Sequence, residues 1–179
     1  EHKDSFHLMK TIMANYILEG IYFYSGFMFF YNLGRMGKMS GSAQEIRYIN
    51  RDENTHLWLF RNMIIELQKE EPTLFTPEKI EVYRNMLKRG VEEEIAWGQY
   101  VWGNRIEGLT MDMVSDYIHY LGNLRAFSLN FEPLYEGFET EPEAMKWVSI
   151  YSNANNIKTD FFEAKSTAYA KSSAIEDDL

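Results

Sequence analysis

The sequence predicts an all-α fold, and three observations support this. Long segments of the 179-residue chain are bounded by helix start and stop signals. No segment shows the apolar–polar alternation of a convincing strand, and we find no internal repeat. Hydrophobic residues make up 45% of the chain and aromatic residues 16%. This composition is sufficient for one domain with a sizeable core.

The first predicted helix runs from about residue 4 to residue 33 and ends in the glycine-marked segment 34–37. Nearly every residue from 11 to 33 is apolar or aromatic, and this length would span a bilayer. Four polar residues interrupt the segment: Asn15, Glu19, Ser25 and Asn32. Because a carboxylate at mid-span is costly in lipid, we interpret the segment as a buried central helix and expect no membrane partner.

The remaining helices follow from similar signals. Pro72 ends the second, Thr76-Pro77 opens the third, Gly103 ends it, and Thr110 opens the fourth. The predicted ranges are 42–69, 76–102, 110–127 and, after a loop, a short helix at 143–151. We assign residues 1–152 to the helical domain and the polar residues 153–179 to a flexible tail.

Charge and cysteine content exclude several kinds of site. The net charge is -9 and no basic block is interleaved with aromatic residues, so nucleic acid is not an expected partner. The chain contains no cysteine, which excludes disulfides and thiolate metal sites and is compatible with a reducing compartment. Any metal ion would have to be bound by carboxylates and imidazoles.

Three residues are candidate metal ligands. Glu53 and His56 are three positions apart in the second predicted helix and therefore lie on one face. Glu19 lies in the apolar middle of the first predicted helix, where an ionised side chain needs a partner or a metal.

The chain geometry predicts that these residues meet. Glu19 lies 18 residues before Gly37, and Glu53 lies 16 residues after it. At a rise of ~1.5 Å per residue these separations are about 27 and 24 Å, so an antiparallel helix pair brings both carboxylates to nearly the same level. We therefore expect Glu19, Glu53 and His56 to converge inside the helical core.

A simpler interpretation is that Glu53 and His56 lie on a solvated helix face, where a Glu-x-x-His pattern is common. We expect the run from Glu92 to Glu94 to be such a solvated face. The other histidines have no comparable partners and are interpreted as surface or satisfied core groups, namely His2, His7 and His119.

The predicted ligand set is half of a known pattern. Ferritin-like di-metal proteins use one Glu from each of two helices and a Glu-x-x-His from each of two others, whereas this chain offers one of each. Two copies of the chain, or another chain, must supply the remainder.

The residues around these ligands resemble a known family. Residues 18–27 read LEGIYFYSGF, and residues 46–53 read IRYINRDE before His56. Both segments are similar to the second ligand-bearing helix pair of class I ribonucleotide reductase small subunits. The similarity continues through residues 117–125 and 161–169. It implies the C-terminal half of a ferritin-like helical bundle.

The resemblance implies roles for individual residues near the metals. Glu19, Glu53 and His56 correspond to ligands of a complete site that binds two ions, as Fe/Fe, Mn/Fe or Mn/Mn. Asp52 corresponds to an aspartate that hydrogen-bonds a ligand histidine of the other half and belongs to the radical-transfer route.

Further roles follow from the same resemblance. An apolar pocket beside the radical site is expected from Phe23, Phe27 and Ile49. Tyr169 corresponds to a tail tyrosine that relays the radical, and Glu163 to a nearby tail glutamate linked to that relay.

The resemblance also implies an activity and partners. The complete site would react with oxygen or a reduced oxygen species and store an oxidising equivalent. A large catalytic subunit, bound through the C-terminal tail, would use it to reduce ribonucleotides. A dimeric assembly in the cytoplasm is expected.

The family's other ligands, its radical-bearing tyrosine and its relay tryptophan are not recognisable here. We expect them on a separate chain carrying the N-terminal half, arising from a split gene, processing or an isolated fragment. Two rival interpretations remain. A related ferritin-like di-metal oxidase would need neither Tyr169 nor a docking tail, and a non-catalytic helical interaction protein would pair its carboxylates with arginines.

Overall fold

The computed structural model describes residues 2–152 of the chain. Within this range the α-helices are α1 (His2–Gly20), α2 (Tyr24–Arg35), α3 (Ser40–Glu70), α4 (Pro77–Val101), α5 (Met111–Ser128) and α6 (Lys146–Ser152). Two short 3-10 helices, Pro72–Phe75 and Glu143–Met145, accompany them, and the described residues contain no strand beyond one isolated bridge. The all-α prediction is confirmed. The predicted tail at 153–179, with Glu163 and Tyr169, lies outside the described residues.

Most helix ends follow the signals read from the sequence. The hydroxyl of Thr76 accepts a hydrogen bond from the N–H of Lys79 at the start of α4. Thr110 caps α5 in the same way through the N–H of Met113. Gly37 adopts a positive φ of 74° between α2 and α3, a conformation that glycine permits without a Cβ clash. The chain reverses there, and α3 packs against both α2 and α1.

The first predicted helix is wrong in one respect, because it is two helices. Residues 21–23 form a turn between α1 and α2. Phe23 has a φ of 77°, in the left-handed region, which costs a non-glycine residue about 1–3 kcal/mol. Apolar residues continue through the break, and no proline or polar cluster marks it. Hydrophobic periodicity therefore could not reveal it.

The core lies between α1, α2, α3, α4 and α5. Its fully buried side chains include Met13, Tyr16, Ile21, Leu87, Val91 and Ile118. In the described part of the chain, we find no helix with the length and apolar character required to cross a membrane.

Candidate metal centre

The three candidate ligands converge as predicted. Glu19 lies on the last turn of α1, while Glu53 and His56 lie in the middle of α3. One potential ligand atom from each lies within 4.8 Å of those of the other two. Nδ1 of His56 is 3.0 Å from Oε2 of Glu53 and 3.5 Å from Oε2 of Glu19. The proximity inferred from residue counting is therefore observed for these three side chains.

The expectation that this cluster is enclosed in the core is wrong for this chain. The side chains of Glu19 and Glu53 are 15% and 21% exposed, and that of His56 is 55% exposed. The cluster lies where α1 and α3 meet at the surface. Among the described residues, none covers the outer side of His56 enough to bury it. The site is therefore open on one side.

Proximity shifts the protonation of all three groups. Burial raises the pKa of Glu19, and its hydrogen bond with Glu53 raises it further. The same hydrogen bond lowers the pKa of Glu53. The hydrogen bond with Glu53 is the main cause that raises the pKa of His56. The two neighbouring carboxylates thus have pKa values that move in opposite directions, as expected of carboxyl groups that share one site.

The donor set fits a hard or borderline divalent cation. Carboxylate oxygens suit manganese, and an imidazole nitrogen suits iron. Nδ1 of His56 already faces the carboxylates, so the imidazole needs no reorientation to contribute a ligand atom. Metal binding there would be favoured as the three groups lose their protons, because metal ligands bind in their deprotonated form.

The other residues expected near the site occupy different environments. Asp52 is exposed and pairs with Arg51 at 3.1 Å. Phe27 is buried, whereas Phe23 and Ile49 are 46% and 45% exposed. Phe23 and Phe27 line an open groove of about 560 Å³, and Ile49 is not part of its lining. The roles of these four residues remain predictions.

Sequence reasoning placed Glu94 wrongly. Glu92 and Glu93 are exposed as expected, but Glu94 is only 3% exposed. Its Oε1 accepts hydrogen bonds from the backbone N–H and the hydroxyl of Ser25, at 2.8 and 2.5 Å. A signal was present, because Glu94 continues the helical spacing of the buried α4 positions 83, 87, 90, 91 and 98.

Arg125 was also missed. It is 9% exposed, and its Nε donates to the carbonyl of Gly20 at 2.9 Å. Its position in the last turn of α5 is ordinary for a basic residue. No sequence signal indicates that its partner lies on α1.

Comparisons with known proteins agree with this geometry. The sequence profile of the family described as "Ribonucleotide reductase, small chain" matches residues 1–142. The chain is 68% identical over 179 residues to the ribonucleoside-diphosphate reductase subunit beta of Treponema pallidum (strain Nichols), covering all of this chain and 51% of that protein. It is 42% identical over 166 residues to the same subunit of Halalkalibacterium halodurans, covering 93% of this chain and 48% of that protein. The chain thus spans about half the length of these curated relatives.

A solved structure shows the same fold. The ribonucleotide reductase R2 subunit from Clostridium botulinum superposes with a TM-score of 0.75 at 52% sequence identity. The superposition covers 79% of this chain and 44% of that one. The predicted ferritin-like helical fold is thereby confirmed.

Proposed function

The chain belongs to the ribonucleotide reductase small-chain family, and we propose that it is the C-terminal part of a radical-generating subunit, carrying half of a di-metal carboxylate site. The observation that carries this proposal is the convergence of Glu19, Glu53 and His56, with ligand atoms within 4.8 Å. The proposal covers the activity, the substrate and the partners of the complete protein.

The two carboxylates and the imidazole would have different roles. The carboxylates of Glu19 and Glu53 would neutralise the cations, and Nδ1 of His56 would add a nitrogen ligand that fixes their orientation. Because Glu53 and His56 are three residues apart on one continuous helix, the backbone of α3 keeps their spacing constant. When bound, the metal pair, as Fe/Fe, Mn/Fe or Mn/Mn, would supply the oxidising equivalent for deoxyribonucleotide formation.

The surface around the cluster supports a second polypeptide as the source of the missing ligands. On α3, Ile49 lies four residues before Glu53 and Met63 lies seven after His56, so all four share one face. Ile49 is 45% and Met63 39% exposed. Exposed apolar side chains beside an incomplete set of candidate ligands support a surface that another polypeptide covers.

The remaining roles belong to the same proposal. Asp52 would contact a ligand histidine on the complementary polypeptide, and Phe23, Phe27 and Ile49 would keep water from the radical site. Residues 1–152 would form the metal-site domain, and residues 153–179, with Glu163 and Tyr169, the tail that docks on the large subunit. The complete protein would act as a dimeric cytoplasmic assembly.

The test is co-expression of the chain with a polypeptide equivalent to the preceding half of the Treponema pallidum relative. We expect the purified complex to contain iron or manganese and, with a large subunit, to reduce ribonucleotides. The double variant Glu53→Ala with His56→Ala should lose the metal. Glu66→Ala, which removes an exposed carboxylate from the same helix, is the matched control. A metal-free wild-type complex, or a double variant that retains its metal, would refute the proposal.

A further inference from the structure

Glu19 is located one residue before the chain leaves the path of a regular helix. α1 ends at Gly20, and α2 begins only at Tyr24. Between them Phe23 adopts a left-handed conformation with a φ of 77°. The position of the Glu19 carboxylate therefore depends on the groups that fix this helix end.

Arg125 of α5 holds the end of α1 from inside the core. Its Nε donates to the carbonyl oxygen of Gly20 at 2.9 Å. A cation at a helix C-terminus interacts favourably with the carbonyl dipoles, and burial strengthens that interaction. The absence of a side chain at Gly20 makes the approach possible, because a Cβ there would lie 3.0 Å from the same Nε.

The same guanidinium connects α1 to the helix that carries the other two ligands. Nη2 of Arg125 donates to the hydroxyl of Tyr24 at 3.1 Å, and this hydroxyl donates to Oδ1 of Asn50 on α3 at 3.4 Å. Nδ2 of Asn50 in turn donates to the hydroxyl of Tyr31 at 3.0 Å. Asn50 is 1% exposed and lies three residues before Glu53. A buried path thus joins the carbonyl beside Glu19 to the turn before Glu53.

The other side of the break is held by a charge of opposite sign. The carboxylate of Glu94, on α4, binds the N–H and the hydroxyl of Ser25 in the first turn of α2. An anion is favourable at a helix N-terminus. Two buried ionisable side chains from different helices therefore fix the two ends of the break between α1 and α2.

We propose that the buried network of Arg125, Tyr24 and Asn50 is a positioning device for the metal centre. The network fixes the position of the Glu19 carboxylate along α3, relative to Glu53 and His56. Because buried polar groups that lose a partner are costly, the network permits only one register between the two helices. This inference rests on the proposed function, since positioning matters where the three side chains bind a metal.

The test compares two tyrosine variants of the chain, each co-expressed with the complementary polypeptide that completes the metal site. Tyr24→Phe removes the hydroxyl that links Arg125 to Asn50. Tyr83→Phe is the matched control, because Tyr83 is fully buried and its hydroxyl donates to the carbonyl of Leu74 at 2.9 Å, outside the network. Each variant keeps its ring. Tyr24→Phe loses two buried hydrogen bonds of the hydroxyl, and Tyr83→Phe loses one. Manganese(II) affinity is measured from the electron paramagnetic resonance signal of free Mn²⁺, and the melting temperature is measured without metal.

Both variants should lower the melting temperature, Tyr83→Phe by about 2–4 °C and Tyr24→Phe by up to about twice that, because it loses two hydrogen bonds instead of one. Only Tyr24→Phe should weaken manganese binding, by roughly tenfold, as is typical when a group that orients a ligand is lost. Tyr24→Phe should also accelerate amide hydrogen exchange at residues 19–25. Equal manganese affinity in the two variants, whether retained or reduced, would overturn the inference and leave the proposed function intact. A wild-type complex that binds manganese no better than the complex of Glu53→Ala with His56→Ala would overturn the proposed function itself.

Discussion

The carboxyl group of Glu94 is kept from water by the packing of α4 against α2. Burial raises its pKa above the ordinary value of 4.5, although the hydrogen bonds from Ser25 oppose this shift. The folded chain therefore keeps the Glu94 proton to a higher pH than the unfolded chain does. Between the two pKa values the native state binds more protons, so this group's contribution to stability falls as the pH rises.

The variant Glu94→Gln tests this direction of the pH dependence of stability. Glutamine keeps an acceptor for Ser25 but does not titrate. We expect the free energy of unfolding of the wild type, relative to the variant, to decrease as the pH rises above 4.5. Urea denaturation at a series of pH values measures the difference. A difference that is constant with pH, or that grows in favour of the wild type, would show that burial does not control this carboxyl.

At the same scale, the convergence of the three candidate ligands could be predicted and their supporting residues could not. The positions of Glu19, Glu53 and His56 follow from a constant rise per residue and one glycine reversal. The contacts of Arg125 and Glu94 depend on which helices pack together. That information is absent from any local sequence pattern.

At the scale of helices, the break between α1 and α2 shows where periodicity fails. The prediction joined the two helices because both are apolar and neither proline nor a polar cluster separates them. The break is stabilised from α4 and α5, by side chains about 70 and 100 residues away along the chain. By contrast, the ends of α4 and α5 were predicted well because Thr76 and Thr110 cap them locally.

Helix packing also depends on one glycine contact between α4 and α1. A Cβ at Gly90 would lie 2.5 Å from Cγ2 of Ile17, so the helices approach closely only because that atom is absent. We expect Gly90→Ala to lower the free energy of unfolding by about 1–3 kcal/mol through overpacking. The measurement is denaturation by urea.

Gly41 provides the control for this substitution. It lies in the first turn of α3, and a Cβ there would meet nothing within 4 Å. Gly41→Ala should raise the free energy of unfolding by about 0.4–1 kcal/mol, since alanine restricts the unfolded chain more than glycine does. If Gly90→Ala were as stable as Gly41→Ala, the close approach of α4 and α1 would be refuted.

At the scale of the whole molecule, the open cluster of candidate ligands and the half-length match to relatives both support the proposal that another polypeptide completes the site. The chain covers 51% of its Treponema pallidum relative and 48% of its Halalkalibacterium halodurans relative. The cluster provides one carboxylate and one Glu-x-x-His, half of the ferritin-like set. The all-α class and the ligand geometry were accessible from the sequence. The exposure of His56 was not, because it depends on which surfaces the other helices leave uncovered.

The proposed tail separates a reductase subunit from a self-contained oxidase. Deleting the residues after 156 should abolish binding to a large subunit, because a captured peptide contributes its affinity only while it is attached. The metal content should remain unchanged, since the three ligands lie in α1 and α3. Surface plasmon resonance and elemental analysis measure the two properties. Undiminished binding by the truncated chain would refute the docking role of the tail, and no binding by the chain that keeps its tail would favour the oxidase interpretation.

The most direct test of the account is anomalous diffraction from crystals of the chain bound to its complementary polypeptide and grown with manganese(II). We predict an anomalous peak at coordinating distance from Nδ1 of His56 and from carboxylate oxygens of Glu19 and Glu53. The peak should vanish in the variant Glu53→Ala with His56→Ala. Crystals with no peak among these three side chains, or with manganese bound only at other carboxylates, would contradict the claim that they form a metal centre.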